Sequence, residues 1–184
     1  MALGRLRAGS RDALFRTVSV IPAVHDYLAR MRFITQPDYG NGVAVTPARQ
    51  VDRRLAAGVG LALGQPRVST PDGAESMLDD HLGDGWVLLA LGDGAEAATL
   101  RAEPYWSGLE ARRVRVTRGG ASTNHAGFAA TLIDRDGMLA LAHLTTPHWV
   151  VVRPDRYVAA VFTAETELAV VEGLKPFVDP ELKE

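Results

Sequence analysis

Trp149-Val150-Val151-Val152-Arg153-Pro154-Asp155-Arg156-Tyr157-Val158-Ala159-Ala160-Val161-Phe162 decides the fold. Two apolar runs of strand length flank a four-residue connection with proline in second place. Proline there presets φ for a type I or related turn, so the spacing predicts an antiparallel hairpin. Beyond the hairpin, Ala164 to about Phe177 predicts a helix, with Leu168, Val171, Leu174 and Phe177 as its buried stripe. Glu165 and Glu167 lie near its positive N-terminal end, and Pro176 and Pro180 close it. Upstream, Trp86-Val87-Leu88-Leu89-Ala90-Leu91 is an uninterrupted apolar run, the pattern of a strand buried on both faces. A helical stretch over about Ala95 to Leu109, interrupted by Pro104, comes next. Arg113 to Arg118 alternates, with Val114 and Val116 on one face, and predicts a second strand. Leu132-Ile133 before Asp134-Arg135-Asp136-Gly137 reads as a strand end and turn, and Met138 to Leu144 as helical.

The order after Gly85 is therefore strand, helix, strand, helix, strand, strand, helix, which is the order of a thioredoxin fold. The expected class is α/β, with a mixed four-stranded sheet and helices on both faces. Ahead of it, Ser10 can cap a short helix carrying Leu14, Phe15 and Val18. Pro22 suits the first turn of another helix, on which Val24, Tyr27, Leu28 and Met31 follow the i, i+3, i+4, i+7 pattern. Two short helices cannot bury both faces against each other, so this pair is expected to dock on something else. From Pro37 to Gly85 glycine and proline punctuate the chain, with Arg67-Val68-Ser69 as a brief strand before a Pro71-Asp72-Gly73 turn. The expected division is a helical segment at 1–45, an irregular connecting segment at 46–84 and a thioredoxin-like domain at 85–184.

Composition narrows the chemistry. The 184 residues contain no cysteine, which excludes disulfides, thiolate metal sites, a cysteine nucleophile and dithiol redox cycling. A formal net charge of -2 gives no electrostatic footprint for nucleic acid or an acidic membrane surface. No apolar run reaches transmembrane length and Met1 to Ser10 is not followed by a hydrophobic stretch, so the expected location is the cytoplasm.

Four motifs carry a family resemblance. Leu78-Asp79-Asp80-His81-Leu82-Gly83, followed by Gly85-Trp86-Val87-Leu88-Leu89, resembles the entry into the C-terminal domain of flavin-dependent aromatic-ring hydroxylases. Val150-Val151-Val152-Arg153-Pro154-Asp155-Arg156-Tyr157-Val158-Ala159 resembles that domain's closing hairpin. Tyr105-Trp106-Ser107-Gly108-Leu109 and Gln65-Pro66-Arg67-Val68 also fall in the family's places, nearest the 3-(3-hydroxyphenyl)propionate hydroxylase and phenol hydroxylase-like group. The resemblance spans essentially the whole chain, with Gly9 to Val45 similar to the helical end of a flavin domain. It implies FAD and NAD(P)H as cofactors of the full-length enzyme.

The family's FAD-binding G-x-G-x-x-G and Gly-Asp motifs are not matched. Gly83-Asp84-Gly85 and Gly92-Asp93-Gly94 abut the first strand of the other domain and read as turns. The chain is thus expected to be a fragment or a detached subunit: a non-catalytic assembly and packing domain with no catalytic, cofactor or metal residues of its own. Its expected partners are the FAD-binding domain of the same enzyme and a second copy, as a dimer. The alternative is a free-standing cysteine-less thioredoxin-like binding module, taking a peptide or small ligand in a groove beside Pro147.

Gly92-Asp93-Gly94-Ala95 stands where thioredoxins carry their reactive thiols, and Thr146-Pro147 where they keep a cis-proline, here either cis or trans. His25, His81, His125, His143 and His148 form no metal spacing. Asp79-Asp80-His81 could be a base with its orienting acid, though a capping or turn role is simpler. Ser122-Thr123-Asn124-His125 after Gly119-Gly120 could be a small anion loop, though a solvated loop is simpler. An acid–base enzyme built on His81 or His125 is the weakest reading. Trp86, Tyr105, Trp106, Trp149 and Tyr157 are expected in the core or at interfaces, with Trp106 and Tyr157 as candidates for contact between subunits.

Overall fold

The computed structural model describes residues 43–46, 48–92, 100–119, 127–139, 144 and 146–178. The chain divides into two compact units, Met1–Pro37 and Asp38–Glu184, and every described residue belongs to the second. The helical pair expected over Ser10 to Met31 lies outside the described residues.

The elements are α1 (Arg53–Ala56), β1 (Arg67–Ser69), β2 (Glu75–Met77), a 3-10 turn over Leu78–His81, β3 (Val87–Leu91), α2 (Glu103–Gly108), β4 (Arg112–Thr117), β5 (Ala130–Asp134), β6 (His148–Val152), β7 (Val158–Phe162) and α3 (Glu167–Leu174). They build one sheet in the order β2-β1-β5-β4-β3-β6-β7. Within it, β4-β3-β6-β7 is the expected thioredoxin-like unit: β3 runs parallel to β4 and antiparallel to β6, and β6 is antiparallel to β7. The α/β class holds, but the sheet has seven strands rather than four. β5 adds in parallel to β4, and the antiparallel pair β1 and β2 extends that edge. Three-residue strands leave no period to read, and β5 opens on Ala130-Thr131, which carries little apolar signal. The stretch 46–84, expected to be irregular apart from a brief strand at Arg67-Val68-Ser69, has that strand as β1 and adds α1, β2 and the 3-10 turn.

The unbroken apolar run of β3 has the expected cause: all five residues are buried, on alternating faces. Val87, Leu89 and Leu91 join Val114, Val150, Val161, Leu78 and Leu82 on one face, with Leu55 and Ala56 of α1 packed against them. Leu88 and Ala90 join Trp106, Trp149, Phe162, Val170, Val171 and Leu174 on the other, under α2 and α3. Helices thus lie on both faces.

β7 would be an edge strand with unpaired backbone groups, a hazard that folded chains cover. Here the preceding segment covers it. Val45 N donates to Ala159 O at 2.8 Å, Gly60 N to Val158 O at 2.9 Å, and Leu63 N to Arg156 O at 2.7 Å. Val45 then crosses α3 at Gly173, where an added Cβ would lie 2.9 Å from Val45 Cγ1.

The hairpin pairs Trp149 with Phe162, Val150 with Val161 and Val151 with Ala160, then shifts register between Val151 and Val152. Helix α3 departs from its expected bounds. Thr163 N donates to Thr166 Oγ1 at 3.0 Å, holding 163–166 as a turn, so the helix begins at Glu167. Its buried positions are Glu167, Val170, Val171 and Leu174, while Leu168 and Phe177 are 50% and 56% exposed. Pro104 opens α2 from its first turn rather than interrupting a longer helix; residues 95–99 of the expected helix lie outside the described residues. So does most of Met138 to Leu144. No cis peptide bond occurs among the described residues, so Pro147 is trans.

Candidate functional site

Two motifs far apart in sequence meet at one end of the sheet. Leu78 and Leu82, both fully buried, root the 3-10 turn in the core and leave Asp79 and Asp80 at the surface. Asp80 Oδ2 accepts from Met77 N at 3.0 Å, and Asp79 N donates to Gln65 Oε1 at 3.1 Å. From the hairpin, Arg156 Nε pairs with Asp79 Oδ1 and its second terminal nitrogen donates to Gly83 O at 2.6 Å. Arg112 Nε donates to His81 O at 2.9 Å. Across the turn, Asp155 accepts from Arg153 and from Tyr157 N, and the Arg153 guanidinium stands 6.0 Å from the Tyr157 ring centre. Arg156 thus latches the loop to the hairpin, while the Asp80, Arg153 and Asp155 bonds described here stay within their own segments.

A second latch uses the Gln65-Pro66-Arg67-Val68 motif. Asp136 accepts from Arg67 N at 2.8 Å and from its guanidinium at 3.0 and 3.1 Å, closing β1 onto the turn after β5. Hydrogen bonds from the Arg67 backbone and side chain hold the Asp136 carboxyl below its ordinary value and raise the guanidinium in return. Glu103 makes a related link with Arg113 and Ser107, joining α2 to β4. Partial burial pushes its carboxyl up, but the hydrogen bonds from Arg113 and Ser107 outweigh it and leave the group below its ordinary value.

The Asp79-Asp80-His81 segment takes the simpler turn role and not the acid–base one. Asp79 turns to Arg156, while His81 Nε2 lies 2.7 Å from Ser76 Oγ. Ser76 and His81 are two parts of a nucleophile–base–acid arrangement, but no carboxylate orients the ring among the described residues. His148, buried at the start of β6, accepts from Asp52 N through Nε2 at 3.1 Å. Nδ1 therefore carries the proton and donates to Thr146 O at 2.8 Å. Asp52 in turn caps α1, so His148 fastens that helix to the sheet. His25, His125, His143 and the Ser122–His125 loop lie outside the described residues. No cluster of three or more metal-ligating side chains occurs among the described residues.

Trp106, expected in the core or at an interface and a candidate for contact between subunits, is a core residue at 1% exposure. It stacks on Phe162 at 5.5 Å and 5°, and Trp149 stacks on Phe162 at 6.3 Å. Its Nε1 donates to Glu167 Oε1 at 2.8 Å. The fully buried Glu167 carboxylate also accepts from Arg101 N at 2.7 Å and Ala102 N at 3.0 Å, so it orders the approach to α2. The sequence carried a signal for it: Glu167, Val170, Val171 and Leu174 are spaced i, i+3, i+4, i+7, with the acid in an apolar position. Tyr105 is also buried, its hydroxyl donating to Val178 O at 2.9 Å; Trp86 and Tyr157 are half-buried.

A flavin pyrophosphate needs a glycine cradle where a strand runs into a helix. At the end of β3, Gly92 has φ +97°, and a Cβ there would meet Leu144 Cδ1 at 3.8 Å and Pro147 Cα at 3.9 Å. Both are ordinary van der Waals distances, and residues 93–99, where a helix would have to follow, lie outside the described residues.

Residues 60–176 match the family described as the HcaD C-terminal domain. The chain is 32% identical over 185 residues to a 3-(3-hydroxy-phenyl)propionate/3-hydroxycinnamic acid hydroxylase of Burkholderia cenocepacia (strain HI2424), covering 96% of this chain and 33% of that protein. It is 31% identical over 174 residues to the corresponding hydroxylase of Mycolicibacterium gilvum (strain PYR-GCK), covering 91% and 30%. The chain spans about a third of the length of these curated relatives. The flavin-dependent monooxygenase PieE, solved with FAD and substrate, shares the fold at TM-score 0.50 and 18% identity over 76% of this chain and 24% of PieE. With the sheet order, the latched motifs and this match together, the chain belongs to the HcaD C-terminal domain family, the thioredoxin-like C-terminal domain of FAD-dependent aromatic hydroxylases.

Proposed function

We propose that this chain is a non-catalytic assembly and packing domain of an FAD- and NAD(P)H-dependent hydroxylase acting on phenolic rings, working in the cytoplasm. The observation that carries the reading is the use made of the family's motifs: Arg156 is spent on Asp79 and Gly83, and Arg67 on Asp136. Side chains committed to one another in this way shape a surface but are not poised to move a proton or hold a phosphate. The relatives' printed names, 3-(3-hydroxy-phenyl)propionate and 3-hydroxycinnamic acid hydroxylase, support the phenolic substrate class. In the working enzyme the flavin supplies oxygen chemistry from its own domain, against which this one packs.

Self-association is part of the proposal, with the half-buried Tyr157 beside the hairpin latch as its candidate contact. Sedimentation velocity of the purified chain tests it. A dimer at micromolar concentration, weakened by Tyr157→Ser, is the expected result; a monomer at every concentration removes the assembly role.

A further inference from the structure

The strap that covers the edge of β7, from Val45 to Gly64, ends against Met138. A Cβ built on Gly64 would lie 3.3 Å from Met138 Cε, so the thioether methyl rests on the strap where a glycine leaves room for it. That end of the strap carries further ties. Leu63 N donates to Arg156 O at 2.7 Å, and Gln65 Oε1 accepts from Asp79 N at 3.1 Å. The backbone under Met138 is held as well: Asp134 accepts from Gly137 N at 2.9 Å and from Leu139 N at 3.0 Å, clamping the turn on either side of it.

Met138 is nevertheless 57% exposed. The chain has no cysteine, so thioethers are its only sulfur, and the other methionine among the described residues, Met77 on β2, is 41% exposed. Hydrogen peroxide oxidises such a sulfur directly. The sulfur lone pair takes one peroxide oxygen, the O–O bond breaks and the other oxygen leaves as water, the sulfur losing two electrons and the peroxide gaining them. The sulfoxide puts a polar oxygen beside the Gly64 contact. Turned inward, that oxygen meets a cavity of ≈ 180 Å³ walled in part by Leu63, Leu89 and Leu139, whose side chains give it no donor. Turned outward, it draws the side chain off Gly64, since the clamped backbone cannot follow.

We infer that Met138 is an oxidation site for hydroperoxides, and that its sulfoxide releases the strap at Leu63 and Gly64. Met77 lines no part of that cavity, and its oxidation leaves the strap in place. The inference stands whether or not the chain self-associates.

The full chain, treated with graded hydrogen peroxide, tests it through peptide mass spectrometry for the site and NMR amide exchange for the strap. Met138 is expected to gain one oxygen, and exchange at Leu63 to quicken about fivefold in proportion to that conversion, while Val45 at the strap's other end keeps its rate. Met138→Leu keeps the apolar bulk without the sulfur and should hold Leu63 at its untreated rate throughout. Met77→Leu should respond as the parent does; if Met138→Leu does not fold, this variant separates the two sulfurs by itself. Met138 left unoxidised while Met77 is converted, an unchanged Leu63 rate in chain fully converted at Met138, a Leu63 response that survives Met138→Leu, or one that Met77→Leu abolishes each overturns the proposal.

Discussion

Arg156 holds a left-handed backbone conformation, φ +69°, while its guanidinium reaches Asp79 and Gly83 O. For a residue with a Cβ that conformation costs about 1–2 kcal/mol, which the two contacts must offset. The Arg156 and Asp79 side chains are 22% and 49% exposed, so solvent screening limits the ion pair to about 1 kcal/mol or less. The two substitutions at this position separate the contributions. Arg156→Ala loses the contacts and keeps the strain, whereas Arg156→Gly loses the contacts and relieves it. Urea unfolding should find the alanine variant about 1–2 kcal/mol less stable than the parent and the glycine variant between the two. A glycine variant no better than alanine would mean that the turn stores no such strain. The sequence announced this turn through Pro154, but its acid partner lies 77 residues away, and no local pattern reports a pairing at that separation.

Among the elements, α3 shows why periodicity alone misplaced a helix face. Leu168 and Phe177 are apolar and near the right spacing, but the inward positions include the carboxylate of Glu167, held by three N–H donors. Those donors could not be read from sequence because two are backbone groups of the Arg101-Ala102 approach to α2. The flank of α3 at Gly173 is fixed by contact. Gly173→Ala drives a methyl into Val45, and either the strap or the helix must shift, at a cost of about 1–3 kcal/mol. Thermal unfolding should show the loss, accompanied by faster amide exchange at Val45, whose N–H bonds to Ala159 O. Unchanged exchange at Val45 would mean that the clash is absorbed elsewhere. The tie between α2 and β4 has a pH signature. Because the Glu103 carboxyl titrates lower when folded than its ordinary 4.5, its contribution is present above that value and fades as pH falls through the folded one. Urea midpoints across that acid range should therefore fall less steeply for Glu103→Gln than for the parent; parallel profiles would remove the tie as a source of acid sensitivity.

For the molecule as a whole, β3, β6 and β7 were legible because each is buried along its length and spells that out in mostly apolar residues, and β4 because Val114 and Val116 alternate with polar neighbours. β1, β2 and β5 were legible only as fragments, since their place comes from pairing with a sheet already formed. The motifs were visible as motifs, and their partners were not: Asp79-Asp80-His81 read more simply as a turn than as a base with its acid, and the fold turns the acid toward Arg156 and the histidine toward Ser76. What distinguishes a latch from a catalytic pair is the direction in which side chains point, which the chain's order does not encode. The role proposed for this domain is to shape and assemble the enzyme while another domain holds the flavin. The direct measurement is to incubate the purified chain with FAD, pass it through gel filtration, and follow NADH and NADPH oxidation with 3-(3-hydroxyphenyl)propionate present. The chain should emerge without flavin absorbance and leave both nicotinamides unoxidised above background; retained flavin with substrate-dependent oxidation would contradict the account.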